Sequence, residues 1–249
     1  MGRLILNNLL EIKDLHKSFS GVNAVDGVTF EVERGKITAL IGPNGSGKTT
    51  VFNLISGILE ADSGEINFET NAITDLPIHE RARLGMSRMF QQSRLFLNLT
   101  IKDNLLLALD GRNFNLFTRS KATAEQARRI QDILELFELT KKINVQVKAL
   151  SFGQRRLIEI ARAYLLPHKL ILLDEPVAGV TPHLRDDITK FLIMLRERGE
   201  TMLIIEHDMN FVFNLADKVI VMDAGVCIAT GKPEDIRNDA KVKEAYLGE

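Results

Sequence analysis

Residues 37–50 read ITALIGPNGSGKTT. Five uncharged residues, three of them β-branched, have the character of a buried strand. They run straight into a loop made of Gly42, Pro43, Asn44, Gly45, Ser46 and Gly47, followed by Lys48, Thr49 and Thr50. Helical spacing begins next, over residues 50–58, with Phe52, Ile55 and Leu59 at i, i+3 and i+7. The loop fits the pattern G-x-x-x-x-G-K-[ST] in the context that pattern requires, a strand before it and a helix after it. Its glycines let the backbone wrap a triphosphate with N–H groups pointing inward, and the helix behind offers its positive N-terminus. Lys48 is placed to reach β- and γ-phosphates, and the Thr49 hydroxyl to bind Mg²⁺.

Outward from this stretch, β character continues before it and a turn at residues 61–64 leads to another strand at 65–68. The first forty residues read as short strands, with Thr29, Phe30 and Val32 among charges and Gly35 at a turn. The middle is helical. Residues 101–109 are leucine-rich, residues 122–139 place Ile130, Ile133, Leu134 and Phe137 on one face, and residues 151–166 form a third helix stopped near Pro167. Apolar runs at 170–173 and 202–205, with a helical pattern at 184–198 between them, are the alternation of a parallel sheet with crossover helices. Residues 218–222 and 226–229 flank a hairpin turn at 223–225. The expectation is one α/β core with a helical insertion and no internal repeat.

The chain has 249 residues, enough for one large domain to bury a core without staples. With 26% charged residues and a net charge of −1, it lacks the basic excess expected of a nucleic-acid binder. Cys227 is alone, so neither an internal disulfide nor a cysteine-based zinc site is expected, and a reduced, intracellular setting fits. The charge-free stretch at 37–47 holds one proline and three glycines and falls far short of the ~20 apolar residues of a membrane span. Asn7 and Asn8 interrupt the apolar start of the chain, so no signal peptide is expected.

Residues 170–176, LILLDEP, end a buried apolar run in two carboxylates. Beside a phosphate-binding loop, Asp174 is placed to hold Mg²⁺ and Glu175 to polarise the attacking water.

With these motifs in place the chain resembles the ATP-binding subunits of ABC transporters over nearly its whole length. The decisive element is Leu150, Ser151, Phe152, Gly153 and Gln154, followed by Arg155, Arg156 and Ile160-Ala161-Arg162-Ala163. It is similar to the family signature LSGGQ, with Phe152 in place of the first glycine. Ser is a natural N-cap here, and free N–H groups behind it can meet an anion. The resemblance implies further roles: Gln91, next to Gln92, as a Mg²⁺ contact and hinge, His207 as a γ-phosphate contact, and Phe19 as an aromatic stacked on adenine, for which core packing is the alternative. Thr181 stands where the family often has an aspartate, after Ala178-Gly179-Val180. The AGV form, RMFQQSRLF at 88–96, IEHDM at 205–209 and EAYLG at 244–248 resemble the subgroup that serves branched-chain amino-acid importers. The ATPase of lipopolysaccharide export shares the AGV loop and the YLGE ending.

The resemblance implies a P-loop NTPase (RecA-like) core with an antiparallel β subdomain and an inserted α-helical signature subdomain. Core and β subdomain would occupy about 1–94 and 161–231, the helical part about 95–160, and a short helical tail about 232–249. It implies ATP and Mg²⁺ as cofactors, a second ATPase subunit, permease subunits as separate chains and a solute-binding protein, with the chain peripheral on the cytoplasmic face of the membrane. Leu95, Phe96, Leu97, Leu99 and Leu105 are candidates for an apolar groove toward a partner helix, against a prior of core packing. A soluble, non-transport ABC ATPase is a further alternative.

Overall fold

In the computed structural model, residues 7–90, 93–110 and 123–247 are described. The chain opens with two long strands, β1 (Asn8–Phe19) and β2 (Val22–Glu33), then β3 (Ile37–Ile41), α1 (Lys48–Ser56), β4 (Ser63–Phe68), β5 (Asn71–Ala72), α2 (Ile78–Leu84) and β6 (Met86–Met89). Three helices follow: α3 (Ile101–Asp110), α4 (Ala124–Leu136) and α5 (Phe152–Leu165). Next come β7 (Leu170–Asp174), α6 (Pro182–Glu197), β8 (Thr201–Ile205), α7 (Met209–Leu215), β9 (Lys218–Asp223) and β10 (Val226–Gly231). The helices α8 (Pro233–Asn238) and α9 (Ala240–Leu247) close the described chain.

Two sheets result. The order β2-β1-β4-β5 is antiparallel throughout, whereas β10-β9-β3-β8-β7-β6 is parallel except for the β9–β10 hairpin at its edge. All five residues of β3, β7 and β8 are buried. Both faces of the parallel sheet are covered, which is why these strands read as unbroken apolar runs. Ile37, Ala39, Ile41, Ile171, Leu173, Met202 and Ile204 face the helices, while Leu40, Leu170, Leu172, Leu203 and Ile205 face α1 and the antiparallel sheet. This period of two gives one strand to two cores.

Local chemistry sets the element ends. Gly57, at φ 75°, closes α1 by donating its N–H to Asn53 and Leu54 carbonyls, so Leu59 falls outside the helix despite its spacing. Thr123 with Gln126 and Ser151 with Gln154 form capping boxes that start α4 and α5, and Pro182 occupies the first turn of α6. The turn between β9 and β10 is Ala224-Gly225, both at positive φ, as a two-residue hairpin needs. β1 and β2 are 12 residues each, not short strands, because register shifts around Leu15 and Lys17 and a positive φ at Asp14 let the pairing continue past the charges. Helix α5 runs unbroken across residues 160–161 to Leu165, so a helical insertion ending at 160 divides a single helix. Among the described residues no helix is long and apolar enough to cross a membrane.

The helical part is locked to the sheet through Phe191 of α6, which is fully buried. Its ring lies edge-on to Phe137, 4.9 Å between centroids, and to Tyr164 of α5 at 5.7 Å. Truncating Phe191 to Ala should cost about 3–5 kcal/mol by loss of burial and cavity formation. Urea unfolding should show this as a lower midpoint at unchanged slope; a midpoint like that of the native chain would mean that the contact is not the lock described.

Candidate active site

The sheet order places β8 between β3 and β7, all parallel, so the three carboxyl-terminal ends share one edge. From those ends come the Gly42–Gly47 loop, the Asp174-Glu175 pair, and Glu206 with His207. This edge is where open parallel sheets hold ligands.

The loop is shaped by close approach. A Cβ on Gly42 would sit 2.1 Å from the Met222 carbonyl oxygen, and one on Gly47 2.2 Å from that of Ala24. Larger residues at either position would force the loop open. Gly47 is the N-cap of α1 and brings no side-chain acceptor, so the first N–H groups of α1, at Lys48, Thr49 and Thr50, face outward without an intrahelical partner. Asn44, Gly45 and Thr49 are exposed, whereas Ser46 is buried and Pro43 partly so. Lys48 is buried, its Nζ donating to the carbonyls of Gly42 (2.9 Å) and Pro43 (2.7 Å) and to Ser46 Oγ (3.2 Å). Burial lowers the Lys48 pKa, and the charges of Glu175 and Asp174 oppose that shift.

Asp174, the last residue of β7, is 2% exposed and accepts from Arg88 of β6 at 3.2 Å. Burial pushes its carboxyl up in pKa, and Arg88 counters. Arg88 also donates to the Phe52 carbonyl, Asn53 Oδ1 and Ser56 Oγ, tying the Asp174 strand to the C-terminal end of α1. Glu175 takes a left-handed conformation, φ 49°, which a non-glycine residue holds only when its surroundings over-determine it. Its N–H donates to the Ile205 carbonyl at 3.0 Å, and Arg156 of α5 donates to the carbonyls of Asp174 and Glu175. Its carboxylate lies 3.7 Å from His207 Nδ1, and the His207 side chain is exposed.

Ser151 caps α5, its Oγ accepting from Gln154 N–H at 3.2 Å while Gln154 Oε1 accepts from Ser151 N–H at 3.3 Å. Phe152 is 61% exposed, and its ring covers the backbone of Gly179, where an added Cβ would come within 3.0 Å of the ring. Gly153 is similarly confined by Leu184. The signature residues thus pack on the loop between β7 and α6. Thr181 caps α6 through its backbone only. Phe19 ends β1 and is exposed, with Lys17 Nζ 5.7 Å from its ring centre, so it is not a core residue. Gln91 and its neighbour Gln92 lie outside the described residues.

Four residues of this region lie within the quoted family stretches but were assigned no role from sequence: Arg88, Arg156, Glu206 and Tyr246. An arginine inside a buried strand and a glutamate after four buried apolar residues are unusual enough to flag from sequence, but their partners are not. Tyr246 of α9 lies against the Gly42 backbone, its phenol pushed up to about 12 by burial.

Fold and loop together are those of a P-loop nucleotide-binding protein. A family model described as ABC transporter matches residues 25–178, and one described as Branched-chain amino acid ATP-binding cassette transporter matches residues 226–249. The chain is 40% identical over 245 residues to the probable branched-chain amino acid transport ATP-binding protein LivG of Archaeoglobus fulgidus, spanning 96% of this chain and 95% of that one. It is 37% identical over 243 residues to the lipopolysaccharide export system ATP-binding protein LptB of Haemophilus influenzae, spanning 97% and 98%. A nucleotide-free ATP-binding cassette from an ABC transporter, known from its crystal structure, has a TM-score of 0.85 at 36% identity, covering 97% of this chain and 100% of that one. This chain belongs to the ABC transporter ATP-binding family, whose members are ATPases.

Lys48→Ala removes the one ammonium seated inside the loop. A hydrogen bond to a charged group is worth about 1.5–3 kcal/mol, so ATP affinity should fall about 10- to 100-fold or more. Titration with a fluorescent ATP analogue reads this directly; unchanged affinity would remove Lys48 from the phosphate site.

Proposed function

We propose that this chain is the ATP-hydrolysing subunit of a transporter that imports branched-chain or related amino acids through permease subunits carried on separate chains. The observation that carries hydrolysis is the convergence of Lys48, Asp174, Glu175 and His207 at the ends of three neighbouring parallel strands. The match of residues 226–249 favours the importer branch. Lipopolysaccharide export is the second reading, favoured by the likeness to LptB.

In this reading the N–H groups of Gly42, Asn44, Gly45, Ser46 and Gly47 and at the start of α1 receive the phosphates, while Pro43, which has no N–H, lines and shapes the loop. Lys48 exchanges its loop carbonyls for β- and γ-phosphate oxygens, and Thr50 adds an N–H in the first turn. Phe19 offers an exposed ring to the adenine. Mg²⁺ would be held by Thr49, Asp174 and Gln91, and when bound it would neutralise charge on the phosphates. Among the described residues no group of three His, Cys, Asp or Glu side chains could hold a metal, so the rest of the ion's shell would come from substrate phosphates and waters. Glu175 accepts the proton of the attacking water, and His207 faces the γ-phosphate. Ser151, Phe152, Gly153 and Gln154 meet the nucleotide of a second ATPase subunit, either another copy or a related chain. A solute-binding protein completes the system, no nucleic acid takes part, and the chain sits peripherally on the cytoplasmic face of the membrane.

Toward the permease, the expected groove is narrower than the sequence suggested. Leu95 and Leu105 are buried, whereas Phe96 and Leu97 are exposed at 51% and 44%. Phe96→Glu should leave basal ATPase activity within about twofold, because surface changes away from packed features are nearly neutral. It should abolish co-purification with the permease subunits; retained co-purification would move the docking surface elsewhere.

Glu175→Gln keeps size but cannot take a proton, and loss of a general base costs about 10²–10⁴ in rate. With ATP it should elute from size-exclusion chromatography as a dimer, alone or mixed with a related ATPase chain, and adding Ser151→Arg should prevent this. A monomer in both settings, with ATP and Mg²⁺ bound, would contradict the shared site.

A further inference from the structure

Glu206 is fully buried. Among the described residues it meets no lysine or arginine at ion-pair distance; the His207 ring Nδ1 lies 3.8 Å from Oε2, and backbone N–H groups bond to the carboxylate. Oε1 accepts from the Val177 N–H at 3.0 Å and Oε2 from the His207 N–H at 3.1 Å. Val177 lies two residues beyond Glu175, and His207 directly follows Glu206. Together with the Glu175 N–H on the Ile205 carbonyl, these bonds zip the segment after β7 to the segment after β8. The two side chains carried by those segments, Glu175 and His207, stand 3.7 Å apart.

A carboxylate is the one side chain suited to this place, because both of its oxygens accept and neither donates. Glutamine would turn an NH₂ toward at least one backbone N–H and leave that donor unsatisfied. The left-handed turn at Glu175 makes the clamp consequential, since a residue held in a sparsely populated conformation relaxes when its restraints are cut.

We propose that Glu206 is a positioning residue for ATP hydrolysis, its carboxylate clamping the loop that carries Glu175 to the loop that carries His207. The inference rests on the proposed roles of Glu175 and His207. Glu206 itself touches neither phosphate nor water in this account; it acts through the placement of its neighbours. The phosphate loop and Lys48 lie on β3 and α1 and do not depend on the clamp.

The test is steady-state ATPase kinetics and ATP affinity for Glu206→Gln, Glu175→Gln and the double variant. Misplacing a catalytic group by about 1 Å can cost about 10²-fold. Glu206→Gln should therefore lower kcat by about tenfold or more while ATP affinity stays within about twofold. In the Glu175→Gln background the further loss should be smaller than the loss Glu206→Gln causes alone, because only His207 is then left to position. Native kcat in Glu206→Gln, a parallel loss of ATP affinity, or a full multiplicative loss in the double variant would each overturn the proposal. Native turnover in Glu175→Gln would instead overturn the reading on which it rests. Should Glu206→Gln not fold, Glu206→Asp decides: it keeps the charge but is one methylene too short to reach both loops. It must show the same split between kcat and affinity, and native kinetics would refute the clamp.

Discussion

The parallel pairing of β3 with β8 and of β8 with β7 is the constraint on which the rest depends. Three fully buried strands, hydrogen-bonded in register, oblige their carboxyl ends to finish on one edge. Residues about 130 to 160 positions apart in sequence, Lys48 on one side and Asp174, Glu175 and His207 on the other, are thereby neighbours. Covering both sheet faces makes this edge rigid, since neither face can slide without exposing one of two cores. The helices add the second half: α5 starts at Ser151, packs its first turn on the β7–α6 loop, and sends Arg156 back to the carbonyls of Asp174 and Glu175.

Charges buried at that edge are satisfied by specific partners. Arg88 pairs with Asp174, Arg156 with Glu159 at 3.0 Å and with strand-end carbonyls, and Lys48 with oxygens of its own loop. Removing one member of a buried pair leaves the other charge uncompensated, at about 3–5 kcal/mol. Such groups therefore fix geometry more than they add net stability. Arg88 has a particular standing because it holds Asp174 and α1 together: any metal taken by Asp174 must share that carboxylate with a guanidinium or displace it.

Much of this was legible in the sequence, where the signal was local. The G-x-x-x-x-G-K-T run between a strand and a helix, the apolar runs at 170–173 and 202–205 and the serine-glutamine cap at 151–154 each state their structure within a few residues. What was not legible depends on distant partners. The length of β1 and β2 hides behind charges because bulges carry the ladder past them. The substitution of Phe152 for a glycine becomes intelligible only with Gly179 beneath its ring, 27 positions away. Glu206 stands out in sequence as a glutamate after four apolar residues, but what it does is hidden until the N–H groups around its carboxylate are seen. Leu95 and Phe96, adjacent and both apolar, differ only in which way the chain turns before α3.

The central claim is that one phosphate-facing site is assembled from the ends of β3, β7 and β8. The most direct measurement is a crystal structure of the Glu175→Gln chain with ATP and Mg²⁺. The account predicts a γ-phosphate bounded by Lys48 and His207, with the ion between Thr49 and Asp174. A triphosphate bound away from the Gly42–Gly47 loop, or an Asp174 that contacts only Arg88 while nucleotide and ion are in place, would contradict it.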